Sequence, residues 1–182
     1  VFVNGKREIA SHYHPLSGPY HSGDSAVIEY QLLLMKYCGV DAVMIDWYGV
    51  QNKYDYPINL ENSNEIINRT NEIGLDFGIV YEPNTLNHLT DKTSGAVTDF
   101  SYIQTHYLNR PNYAKKDGQN MVFNFDNTLT AAEWNQVMRN ISNTQLYFHH
   151  RQTAKLNGMV KTPGEYYWVE GGDTSSQQYW YS

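Results

Sequence analysis

The feature that most constrains this chain is a set of short, continuous apolar runs that each stop abruptly in polar or charged residues. The clearest is Ala42-Val43-Met44-Ile45, which passes directly into Asp46-Trp47-Tyr48-Gly49. Phe77-Gly78-Ile79-Val80 leads into Tyr81-Glu82-Pro83, and Met121-Val122-Phe123 into Asn124-Phe125-Asp126. Gln145-Leu146-Tyr147-Phe148 leads into His149-His150-Arg151, and Tyr166-Tyr167-Trp168-Val169 into Glu170-Gly171-Gly172. A weaker run over residues 8–13 leads into His14-Pro15. Runs without apolar/polar alternation predict strands covered on both faces, as in a parallel sheet.

Helical spacing lies between the runs. Residues 26–37 place Val27, Tyr30, Leu34 and Tyr37 on one stripe, with Cys38-Gly39 as the stop. A second helix is expected over 62–73, with Ile66, Ile67 and Ile73 inward and Gly74 ending it. A third is expected over 100–108, and a fourth over 130–141, where Thr130 and Glu133 form a capping box. Residues 152–163 show no helix, and a last one is expected from Ser175.

Strand–helix alternation implies βαβ units. A doubly wound open sheet would carry a Gly-rich phosphate loop after its first strand, and neither GxGxxG nor a Walker motif is present. The alternative is the α/β barrel of (β/α)₈ TIM-barrel type, in which functional side chains gather at the C-terminal ends of the strands. With 182 residues the chain supplies about six βα units, and the last strands of a full barrel are expected to be missing. Residues 1–182 are therefore read as a single, partial barrel domain. Its open edge is expected to pair with further chain or with another molecule.

The carboxylates that end the runs are the candidate catalytic residues: Asp46, Glu82, Asp126 and Glu170. Glycosidic bond hydrolysis needs two carboxyl groups, one as proton donor and one as base or nucleophile. Aromatic surroundings would separate their pKa values. The chain holds 16 Tyr, 4 Trp and 6 Phe. Of these, Tyr13, Trp47, Tyr48, Tyr81 and Trp168 adjoin the acids and are candidate sugar-stacking groups. His14, His106 and His149 are candidate hydroxyl partners. The net charge of -6 argues against nucleic acid as partner, and no apolar run is long enough for a membrane span. The lone Cys38 excludes an internal disulfide framework and is expected to be buried and inert. His12-Tyr13-His14 with Asp46 or Asp126 could form a mixed metal site, but no HExxH occurs, and the favoured reading needs neither metal nor cofactor.

Several stretches resemble glycoside hydrolase family 71/99-like proteins. They are Ser11-His12-Tyr13-His14-Pro15 through Gly18-Pro19-Tyr20, Gly39-Val40-Asp41 through Ile45-Asp46-Trp47-Tyr48-Gly49, Ile79-Val80-Tyr81-Glu82-Pro83, Asn109-Arg110-Pro111-Asn112-Tyr113, and Gly164-Glu165-Tyr166-Tyr167-Trp168-Val169. The resemblance implies a (β/α)₈ barrel acting on glycans. Family 99 members are retaining, metal-independent endo-α-mannosidases and α-mannanases, and family 71 members cleave α-1,3-glucans. By the same resemblance Glu82 belongs to a sugar-binding subsite, and Tyr13, His14, Trp47 and Tyr48 lie near the reacting sugar. An exported protein is implied as well. Family 99 carries its catalytic pair in a Glu-Trp-x-Glu motif on a late strand, and this chain has none: Glu165 and Glu170 are separated by Tyr-Tyr-Trp-Val. Three readings follow. The pair lies beyond Ser182, other acids do the work, or the barrel binds carbohydrate without cleaving it. A metal-dependent hydrolase is a further alternative.

Overall fold

The computed structural model describes residues 2–3, 6–7, 13–149 and 164–166. The expected strand over 8–13 lies outside these except for Tyr13, which sits in a bend; so do the 152–163 connection and the helix from Ser175.

A two-stranded antiparallel ribbon, β1 (Phe2–Val3) and β2 (Lys6–Arg7), comes first. Then follow α1 (Ser25–Tyr37), β3 (Ala42–Trp47), α2 (Tyr56–Ile73), β4 (Asp76–Tyr81), a 3-10 turn (Pro83–His88) and α3 (Lys92–His106). β5 (Lys115–Lys116), β6 (Gln119–Asn124), α4 (Ala131–Met138), β7 (Thr144–His149) and β8 (Glu165–Tyr166) complete the described chain. The main sheet runs β3-β4-β6-β7-β8 with every neighbouring pair parallel, and β5 adds antiparallel to β6. This is a curled half-barrel of βα units, part of the (β/α)₈ plan that the alternation of runs and helices predicts.

The helix ends follow from local chemistry. Thr130 Oγ1 accepts the Glu133 N–H, and the Glu133 carboxylate accepts the Thr130 N–H at 2.7 Å, so two otherwise orphaned donors are satisfied reciprocally. Thr130→Ala should lower stability by about 1 kcal/mol, read from urea unfolding at constant m. α2 has Pro57 in its first turn and ends at Gly74, whose φ of +77° is the left-handed conformation that glycine adopts without strain. α3 starts eight residues before the expected Phe100. Asp91 caps it by accepting the Ser94 N–H at 2.9 Å, and Thr93-Ser94-Gly95 is helical because Gly95 and Ala96 pack into the core.

The outer face of the sheet meets the helices and forms the core. Trp47, Phe77, Ile79, Tyr81, Val122, Leu146 and Phe148 are all buried there, with Phe100, Ile103, Tyr107 and Trp134 from the helix side. Two expectations are corrected. α1 buries Ile28 and Leu32 rather than the Val27, Tyr30, Leu34, Tyr37 stripe, and Tyr30, Leu34 and Tyr37 are exposed. The helix is apolar on more than one side, so its period alone admits either stripe. Cys38 is exposed rather than buried, because it caps the helix at its outer end.

Candidate functional site at the strand ends

Three of the predicted acids lie at neighbouring strand ends. Register pairs Asp46 on β3 with Val80 on β4, and Val80 with Phe123 on β6. The ladder runs on past the strands: the Glu82 N–H donates to the Trp47 carbonyl at 3.1 Å, and the Phe125 N–H to the Tyr81 carbonyl at 2.9 Å. Asp46, Glu82 and Asp126 are thereby carried side by side on one rim. Asp126 accepts the Thr128 N–H at 2.8 Å, which fixes its carboxylate in the turn after β6.

Glu82 is the centre of the cluster. Burial pushes its carboxyl up to about 8, with the charges of Asp126 and Asp46 and a hydrogen bond to Asp126 adding to the effect. Burial and two acidic neighbours therefore favour the protonated form of Glu82. Asp46 keeps solvent on one side, yet the atoms crowded around it displace enough water to raise its carboxyl too. Asp46, Tyr48, Asn59 and Asn62 line an open cleft of about 350 Å³ beside β3. Among the described residues, no group of three or more His, Cys, Asp or Glu side chains is arranged to hold a metal ion.

Tyrosines surround the acids. The Tyr48 hydroxyl is raised first by the charge of Asp46, then by burial and by Glu82. Tyr56 packs edge-on against Tyr48 at 5.8 Å, and its hydroxyl is raised by burial, with Glu82 among the lesser causes. Tyr166 on β8 donates its hydroxyl to the Asn124 carbonyl at 2.9 Å. Burial raises it, and Glu82, Asp46 and Asp126 all contribute. Tyr56 and Tyr166 were not among the sequence candidates. Tyr56 lies in a helix start ten residues beyond Asp46, and Tyr166 sits inside an apolar run where packing is the simpler role.

Three predicted sugar contacts are corrected. Trp47 and Tyr81 are fully buried, in the core rather than at the rim. Successive strand residues point to opposite faces, so a rim-facing Asp46 puts Trp47 against the helices. Tyr81, paired with Trp47, shares that outer face. His106 is also displaced. It is the last residue of α3, stacks on Tyr102 at 3.9 Å, and so belongs to the rim opposite the strand ends. Tyr13 and His14 are exposed in the segment before α1. The His149 side chain, Trp168 and Glu170 lie outside the described residues.

The sequence matches no protein-family model, and no curated protein sequence matches it. Solved structures do. The structure of the GH99 endo-α-mannosidase from Bacteroides thetaiotaomicron superposes with a TM-score of 0.70 at 17% identity, over 94% of this chain and 54% of that one. The chain is GH99-like in fold. A second structure of that enzyme, in complex with Bis-Tris-propane, gives a TM-score of 0.70 and 17% identity, with 94% and 57% covered. A glycoside hydrolase-like protein matches with a TM-score of 0.60 at 15% identity, over 75% of this chain and 47% of that one. The chain thus spans about half the length of each of these structures. Among the described residues, no helix is long and apolar enough to cross a membrane.

Proposed function

We propose that the chain carries the substrate-binding and acid/base side of a glycoside hydrolase acting on a polysaccharide or glycan, of the endo-α-mannosidase type. The observation that carries this reading is the grouping of Glu82, Asp126 and an accessible Asp46 at adjacent strand ends, where burial and the neighbouring charges raise the Glu82 carboxyl. A protonated carboxyl at a cleft can donate to a glycosidic oxygen as the bond breaks, and a nearby carboxylate can act as base, nucleophile or charge partner. Glu82 takes the first role and Asp46 the second. Asp126 holds the proton on Glu82 through its negative charge and their hydrogen bond. Tyr48, Tyr56 and Tyr166 supply ring faces and hydroxyls for a sugar. Glu170 stays a further candidate acid, and Tyr13, His14, His149 and Trp168 further sugar contacts. A polysaccharide substrate suits an exported protein. The edge of β3 away from β4 is where another strand, from the same or another molecule, would add.

The test is release of reducing ends from α-mannan, α-1,3-glucan and xylan. Release from an α-linked glycan is expected. Calorimetric binding of a glycan with no ends released from any of the three would replace the reading with a carbohydrate-binding barrel.

A further inference from the structure

Asp99 is a fully buried carboxylate that the chemistry above does not use. It lies on α3, behind the sheet, and its two oxygens serve two different strand ends. Oδ1 accepts the Val50 N–H at 2.8 Å and the Gln51 Nε2 at 3.3 Å, both in the turn that leaves β3. Oδ2 accepts the Tyr81 hydroxyl at 2.6 Å, and Tyr81 is the last residue of β4, directly before Glu82. The turn comes close to reach it. Gly49 has a φ of +82°, and a Cβ there would stand 2.7 Å from Asp99 Oδ2. No residue but glycine fits between Tyr48 and Val50 without moving the carboxylate.

We propose that Asp99 is a positioning residue for the carboxylate site, a clamp that holds the ends of β3 and β4 from behind and so fixes Asp46 and Tyr48 against Glu82. A buried carboxylate is costly to desolvate, and an apolar side chain would tie α3 to the sheet with less penalty. Three converging donors at two strand ends are what an apolar residue could not replace. The catalytic meaning of the clamp rests on the glycosidase reading, but its geometry does not.

The experiment measures the Glu82 titration by carbon-13 NMR, and the ring resonances of Tyr48, in the full chain without sugar. The ionisable groups around Glu82 are Asp46, Asp126, Tyr48, Tyr56 and Tyr166, and none of these is substituted in any variant. Asp99→Ala should loosen the turn and admit water, so that the Glu82 midpoint falls from about 8 to about 7 and the Tyr48 resonances shift. Asp99→Asn keeps an acceptor for Val50 and offers its amide to the Tyr81 hydroxyl, which can turn to accept; both signals should stay near wild type. Ile67→Ala, a core truncation on α2, is the control for destabilisation alone and should move neither. If Asp99→Ala does not fold, Tyr81→Phe cuts the β4 arm while keeping the ring, and a smaller shift in the same direction is expected. Unchanged signals in the folded clamp variant, or an Asn variant shifted as far as Ala, would overturn the clamp. Failure of the glycosidase reading shows separately, as absent hydrolysis with these titrations intact.

Discussion

Glu82→Gln is expected to lower the proposed hydrolysis by about 10²- to 10⁴-fold, because an amide keeps the shape and hydrogen bonding of the protonated acid but cannot give up its proton. The same substitution changes how stability depends on pH. In the folded chain Glu82 titrates near 8, against an ordinary value of 4.5. Between these values the folded state holds a proton that the unfolded state has released. The stabilisation this provides is fully present below the unfolded value and is lost as pH rises through the folded one. Wild-type stability should therefore decline from about pH 5 to about pH 8, and Glu82→Gln should flatten that decline. Asp99, pushed up to about 6 by burial against the pull of its hydrogen bonds, adds a decline of the same sign at lower pH, which remains in the variant. Melting temperatures at half-unit pH steps separate the two. A Gln variant with undiminished hydrolysis, or with the wild-type pH slope intact above pH 6, would remove Glu82 from the acid role.

Trp47→Ala should cost about 3–5 kcal/mol of folding stability, a large part of the total for a domain of this size. The indole is fully buried. It stacks on Tyr102 at 6.0 Å, meets Tyr107 edge-on at 5.9 Å, and tilts against Tyr81 at 6.0 Å. Removing it opens a cavity between β3, β4 and α3 and strands three rings that were packed against it. Urea unfolding at constant m measures the loss. A sugar-stacking Trp47 would instead weaken glycan binding and leave stability within about 1 kcal/mol of wild type. That outcome would refute the core assignment. The contrast between the two substitutions follows from the pleat: Asp46 and Trp47 are neighbours in sequence, but one serves the rim and the other the core.

The strand ends were legible from composition and order alone. Apolar runs closing in Asp46, Glu82 and Asp126 read as strands whose last residues would share one rim of a barrel, and the structure gathers those three acids there. Helix boundaries followed where a capping residue declared them, by its side chain at Thr130 and by its left-handed backbone at Gly74. They failed where Thr93-Ser94-Gly95 looked like loop and tertiary burial made it helix.

Facing was the part that the sequence held only in coded form. The period of two along a strand implied that Trp47 and Tyr81 could not share the rim with Asp46 and Glu82, once the acids were placed there. Composition drew the aromatics toward the site, and parity put them in the core. For α1 the period of 3.6 was ambiguous, since apolar residues occupy more than one side and only packing against Ile66 and Ile73 of α2, Val43 of β3 and Leu75 selected Ile28 and Leu32. Asp99 was beyond reach altogether. Its partners lie 18 and 49 residues away along the chain, and nothing local marks a helix aspartate as the link between two strand ends. The sequence determined which residues end the strands. The tertiary structure decided which of them face one another, because burial and hydrogen bonding across long separations depend on distances that sequence order does not contain.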